Sequence, residues 1–215
     1  LQALKLDNTP LSAIYSPAGE ASAILVLAHG AGAGFDHAHM NALSDALNTM
    51  GISTLRFNFP FTEEGRRRVD NTDVCIDAIA HAVATAKRLC PNLSLFIGGH
   101  SFGGRMSTHY AVDQANTAAG IILFSFPLHP GKKPAIKRAA HLGAIKEPML
   151  FLSGDRDMLA EAALLESVTN PLANAQLHWL ETADHGYKIL KRTRKSAENI
   201  YTEAARVASA WIEKL

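Results

Sequence analysis

Ser101 lies in Gly99-His100-Ser101-Phe102-Gly103, a G-x-S-x-G pattern directly behind the apolar run 95–97 and directly ahead of a helix-like segment. A serine hydroxyl becomes a nucleophile when a neighbouring base takes its proton, and the chemistry it then performs is attack on an acyl carbonyl. To present that hydroxyl above a strand tip, the chain must turn sharply from strand to helix. Such a nucleophile elbow strains the serine backbone and leaves no room for a side chain two positions before or after it. Gly99 and Gly103 meet that demand. Glycine early in a helix costs about 1 kcal/mol relative to alanine, so close packing at the turn is the expected compensation. The turn also aims the Phe102 N–H, with the positive end of the helix behind it, at whatever the serine attacks. Taken alone, five residues of this kind also fit a plain glycine turn.

A serine of this type needs a base and an acid. Ten histidines are present, but only His178 and His185 follow the candidate acids Asp155 and Asp157. His178 falls within the alternating Q-L-H-W-L, where its side chain is committed to one face of a sheet. His185 follows that strand in Asp184-His185-Gly186, at the edge where open parallel sheets gather their ligands. Asp155 and Asp157 stand two apart in S-G-D-R-D, behind the strand P-M-L-F-L, with Gly154 marking a turn. Asp155 is expected to bond to turn N–H groups and fix the loop. Serine, then aspartate, then histidine, each behind its own strand, is a specific order.

The glycine-rich run His29-Gly30-Ala31-Gly32-Ala33-Gly34 follows another buried strand. It lacks both G-x-x-x-x-G-K-[ST] and a G-x-G-x-x-G opening a helix, which disfavours nucleotide binding. Its other use is to bring a second N–H, from Ala31 or Gly32, close to the serine. Asp36, His37 and His39 invite a metal reading, but residues so spaced at a helix start do not converge, and no metal is expected. No organic cofactor is called for either.

The elements that position these residues alternate. Residues 3–7 and 11–15 read as an antiparallel hairpin at a sheet edge. Buried strands are expected at 22–28, 52–59, 95–98, 119–126 and 148–152, with a further strand at 176–180. Helices are expected from 39 to 50, capped by Asp36, and from 71 to 89 with Val74, Ile76, Ile79, Val83 and Leu89 facing inward. Two more are expected from 102 towards 115 and from 196 to 215. The arrangement is a mostly parallel, doubly wound α/β sheet forming one domain over residues 1–215. With 47% hydrophobic and 19% charged residues, the composition is that of an ordinary globular chain. A net charge of +1 gives no reason to expect nucleic acid. No apolar run approaches a membrane span and the first residues carry no signal-peptide pattern, so no membrane association is expected. Cys75 and Cys90 are too far apart on one helix to pair and read as buried thiols in a reducing, cytoplasmic compartment.

The set H-G-A-G-A-G-F-D-H, R-F-N-F-P-F, G-G-H-S-F-G-G-R, F-P-L-H-P-G-K, S-G-D-R-D and D-H resembles the α/β-hydrolases related to dienelactone hydrolase. Within them it is most similar to the small subgroup of testis-expressed protein 30 and the hydrolase-like part of a chromatin-complex subunit. The resemblance covers nearly the whole chain. It implies Ser101 as nucleophile, His185 as base, and the acid three residues after Gly154, at Asp157. It also implies an oxyanion hole from Phe102 and the Ala31/Gly32 loop. Dienelactone hydrolase has a cysteine where this chain has Ser101, so its lactone substrate does not carry over. His100 also departs from the pattern; with its ring expected to point away from the serine, it is read as structural.

The implied activity is hydrolysis of a small carboxylic ester. The alternative is an interaction protein that keeps the hydrolase fold without relying on turnover. The connection 127–147 is too short for a helical cap, so an open, shallow pocket is expected. Lys188, Lys191, Arg192, Arg194 and Lys195, with Lys132, Lys133, Lys137 and Arg138, are either solvated loops or a positive field that draws anionic substrates. Arg66, Arg67 and Arg68 read as a solvated loop.

Overall fold

The computed structural model describes residues 1–215. The apolar run after residue 21 forms β3 (Ala23–Ala28), and all six of its residues are buried. Its side chains alternate between two cores, as the period of a strand requires. Ile24, Val26 and Ala28 pack on one side with Ile79, Val83 and Met106, while Ala23, Leu25 and Leu27 pack on the other with Met40, Leu43 and Trp211. A strand covered on both faces has to be apolar throughout.

The remaining strands are β1 (Gln2–Lys5), β2 (Ser12–Ser16), β4 (Ile52–Phe57), β5 (Ser94–His100), β6 (Gly120–Phe124), β7 (Met149–Gly154) and β8 (Ala175–Leu180). They form one eight-stranded sheet in the order β1-β2-β4-β3-β5-β6-β7-β8. The β1–β2 hairpin joins β4 antiparallel, and every pairing from β4 to β8 is parallel. The carboxyl ends of six strands therefore share one edge. Helices α1 (Ala38–Thr49) and α6 (Ile200–Ile212) cover one face; α3 (Thr72–Leu89) and α4 (Phe102–Asp113) cover the other.

Several boundaries differ from the sequence expectation. His37, not Asp36, caps α1, its Nδ1 accepting the His39 N–H. α6 begins at Ile200 instead of residue 196 because the Asn199 side chain accepts the Tyr201 and Thr202 N–H groups. Pro60 opens the one-turn helix α2 (Pro60–Glu63), and β4 stops at Phe57. Helix α5 (Ala162–Thr169) was not expected. Val74 is 39% exposed; it lies one position off the inward stripe of Cys75, Ile79, Ala82 and Ala86, and one position is about 100° around a helix. The β6–β7 connection carries only two short 3-10 turns and no cap.

Candidate functional site

Ser101 sits between β5 and α4 with φ 52° and ψ −114°. A non-glycine residue held there costs about 1–3 kcal/mol, which packing must hold in place. The Ser101 N–H donates to the Phe124 carbonyl at 2.9 Å, and the flanking glycines let β5 and α4 close onto β3. A Cβ on Gly99 would stand 2.2 Å from the Ala28 carbonyl oxygen, and one on Gly103 would stand 2.5 Å from the same peptide. Neither position can carry a side chain without moving β3.

The loops after β7 and β8 bring the other two groups to the serine. His185 Nε2 lies 2.8 Å from Ser101 Oγ, and His185 Nδ1 lies 2.7 Å from Asp157 Oδ2. A carboxylate accepts only, so Nδ1 carries the proton and Nε2 is bare towards the serine hydroxyl. The side chain of Asp157 is fully buried, and its second oxygen accepts the Leu159 N–H at 2.8 Å. Asp155 behaves differently from expectation: it is exposed and holds no turn N–H. Asp157 ties down the loop itself while facing the histidine. His178 stays on the sheet, bonded to Glu203 at 3.0 Å.

Ala31 and Gly32 line the same cleft as Ser101, and their N–H groups have no acceptor within the protein. Phe102 opens α4, where a helix leaves its first N–H groups free. His29 sets the direction of the first loop, a role the sequence reading missed. It is fully buried, which pushes its pKa down to about 4 and keeps it neutral. Its Nε2 accepts the Phe59 N–H at 3.1 Å, so Nδ1 donates to the Gly30 carbonyl at 2.7 Å. A trans peptide then turns the Ala31 N–H away from His29. The available signal was a histidine at a strand end, immediately before the first glycine.

The cleft holds about 440 Å³. His100 lines it together with Ser101, and its Nε2 lies 3.0 Å from the His185 carbonyl oxygen. Lys188 is the one lysine or arginine in the lining. Arg194 is removed from any positive field, because its side chain is buried in an ion pair with Glu203 and a hydrogen bond to the Glu181 carbonyl. Lys132, Lys133, Lys137 and Arg138 do not reach the cleft. Of the trio at the start of α1, His37 is spent on the cap and His39 bonds to Tyr201; no group of three metal-ligating side chains is gathered anywhere. Both cysteines are free and buried. No helix is long and apolar enough to cross a membrane.

The sequence profile described as alpha/beta hydrolase domain matches residues 21–213. The chain belongs to this alpha/beta hydrolase family. Among solved structures, a dienelactone hydrolase from Anabaena variabilis is similar with 18% identity and a TM-score of 0.77, covering 99% of this chain and 95% of its own. Est1E from Butyrivibrio proteoclasticus, with ferulic acid bound, is similar with 15% identity and a TM-score of 0.76, covering 99% and 98%. A serine hydrolase without a lid from Xanthomonas campestris is similar with 17% identity and a TM-score of 0.74, covering 99% and 94%. These likenesses show that the alpha/beta hydrolase fold runs through the whole chain.

Proposed function

We propose that this alpha/beta hydrolase cleaves a small carboxylic ester, or a related acyl bond, with Ser101 as nucleophile, His185 as base and Asp157 as the acid that orients it. The observation that carries the reading is the unbroken relay of 2.8 Å from Ser101 Oγ to His185 Nε2 and 2.7 Å from His185 Nδ1 to Asp157. His185 takes the hydroxyl proton as Oγ bonds to the acyl carbon. The carbonyl oxygen becomes an oxyanion held by the Phe102 N–H and by one from Ala31 or Gly32. His185 returns the proton to the departing alcohol, then takes one from a water that attacks the acyl carbon, and passes it to Ser101 Oγ as the acyl–Oγ bond breaks and the acid leaves. Asp157 keeps the Nδ1–H of His185 in place and stabilises the imidazolium.

The open cleft and the absence of a cap support a small-molecule substrate with a small acyl group, in keeping with the similar Est1E, which has ferulic acid bound. Lys188 at the lining supports a preference for substrates carrying a negative charge. We further assign the chain to the dienelactone-hydrolase-like branch and to the subgroup similar to testis-expressed protein 30, on the motifs around His29, Ser101 and Asp157. The two free thiols fit a reducing compartment such as the cytoplasm.

Turnover of p-nitrophenyl acetate and butyrate by wild type and Ser101→Ala tests the reading. The variant should lose at least about 10³-fold in kcat while remaining folded. Unchanged turnover in Ser101→Ala, or none by wild type across an acyl panel, would leave the fold without this activity and favour a binding role.

A further inference from the structure

His185 must stay within a few tenths of an ångström of its place for the relay to hold, yet it sits on a loop. Its backbone carbonyl accepts no backbone N–H. The only hydrogen bond to it comes from His100 Nε2 at 3.0 Å, a side chain from the strand that carries Ser101. Because a carbonyl only accepts, this nitrogen carries the proton. The ring is wedged on its other side as well: a Cβ on Gly30, in the loop that also holds Ala31, would lie 3.1 Å from His100 Nδ1. Its centroid lies 5.2 Å from that of His185 and 4.3 Å from that of His39, which is anchored by Tyr201 Oη at 3.0 Å.

We propose that His100 is a positioning residue: the N–H of its Nε2 clamps the His185 carbonyl and fixes the base in register with Ser101, while its ring spaces that base from the Gly30–Ala31 loop. This rests on the hydrolase reading above. Burial supports it by holding His100 down to about 4 and His39 to about 3, so two neutral, tilted rings lie against each other without repulsion and Nδ1 remains bare. A lysine or arginine in the same place would bring a charge into contact with the base.

Two substitutions separate the hydrogen bond from the space it occupies. His100→Gln places an amide N–H about where Nε2 stands, whereas His100→Met fills similar volume with no donor. In His100→Met, kcat for a short ester should fall about tenfold to a hundredfold with little change in KM, and the melting temperature should stay near that of wild type. His100→Gln should recover most of the loss. The low-field proton resonance of the His185–Asp157 hydrogen bond, read by NMR without turnover, should be sharp in wild type and in His100→Gln and broadened or lost in His100→Met. Full activity and an unchanged resonance in folded His100→Met, or a His100→Gln no better than His100→Met, overturns the clamp. A wild type that shows the resonance and its loss in His100→Met but hydrolyses no ester overturns the hydrolase reading and leaves the clamp standing.

Discussion

Replacing Asp157 by asparagine should abolish the base more completely than the loss of one charge suggests. Oδ1 of Asp157 accepts the Leu159 N–H at 2.8 Å while Oδ2 faces His185 Nδ1 at 2.7 Å. In Asp157→Asn the amide oxygen must stay on Leu159, since the NH₂ group there would meet another donor. The NH₂ group is then forced to face His185. Nδ1 has to accept, the ring proton moves to Nε2, and the histidine presents a donor to Ser101 instead of a lone pair. A histidine in the wrong tautomer costs roughly 10⁴ in kcat, about 5 kcal/mol of barrier at about 1.4 kcal/mol per decade. Steady-state kinetics on p-nitrophenyl acetate, with circular dichroism to confirm folding, measures it. The companion Asp155→Asn should change neither activity nor stability noticeably, since that side chain is exposed and holds nothing. Folded Asp157→Asn within tenfold of wild type would refute the tautomer argument.

Gly103→Ala should force the Ala28 peptide aside, at a cost of about 3 kcal/mol or more and roughly 10 °C in melting temperature; a variant melting with wild type by calorimetry would mean that the turn has slack. Acid should destabilise the fold before the carboxylates titrate. His29, His100 and His141 are each pushed down to about 4 by burial, against 6.5 when unfolded. The unfolded chain therefore takes up protons first, so their stabilisation is complete above pH 6.5 and lost as pH falls towards 4. Fully buried His29 alone contributes roughly 3 kcal/mol at about 1.4 kcal/mol per pH unit. Denaturant midpoints that stay flat from pH 7 to pH 4.5 would contradict this. Among esters, acetyl and butyryl groups should turn over faster than long chains without activation at a lipid interface, and Lys188→Ala should slow carboxylate-bearing esters several-fold while sparing neutral ones. Equal effects on both kinds of ester would remove Lys188 from recognition.

The sheet was legible because strands buried on both faces spell continuous apolar runs, as β3 does. The elbow was legible because only glycine survives 2.2 Å and 2.5 Å from the Ala28 peptide, a demand written directly into residues 99 and 103. What escaped was set by contacts distant in sequence. Nothing near Asp155 says that it will be exposed while Asp157 takes both the Leu159 N–H and the histidine. Nothing near Arg194 announces Glu203, which removes one charge from a stretch that reads as uniformly basic. His29 and His100 look interchangeable with the other histidines until their partners, Phe59 and His185, arrive from elsewhere in the chain. Helix ends shifted for a simpler reason: several polar residues near each start could cap, and geometry chose His37 and Asn199.

Whether Ser101 is an activated nucleophile is tested most directly by incubating the folded protein with a fluorophosphonate and mapping the adduct by mass spectrometry. One adduct is expected, on Ser101, absent in Ser101→Ala and strongly slowed in His185→Gln. No adduct on Ser101 in folded protein, or labelling at an equal rate without His185, would contradict the assignment of this serine, histidine and aspartate as a working catalytic relay.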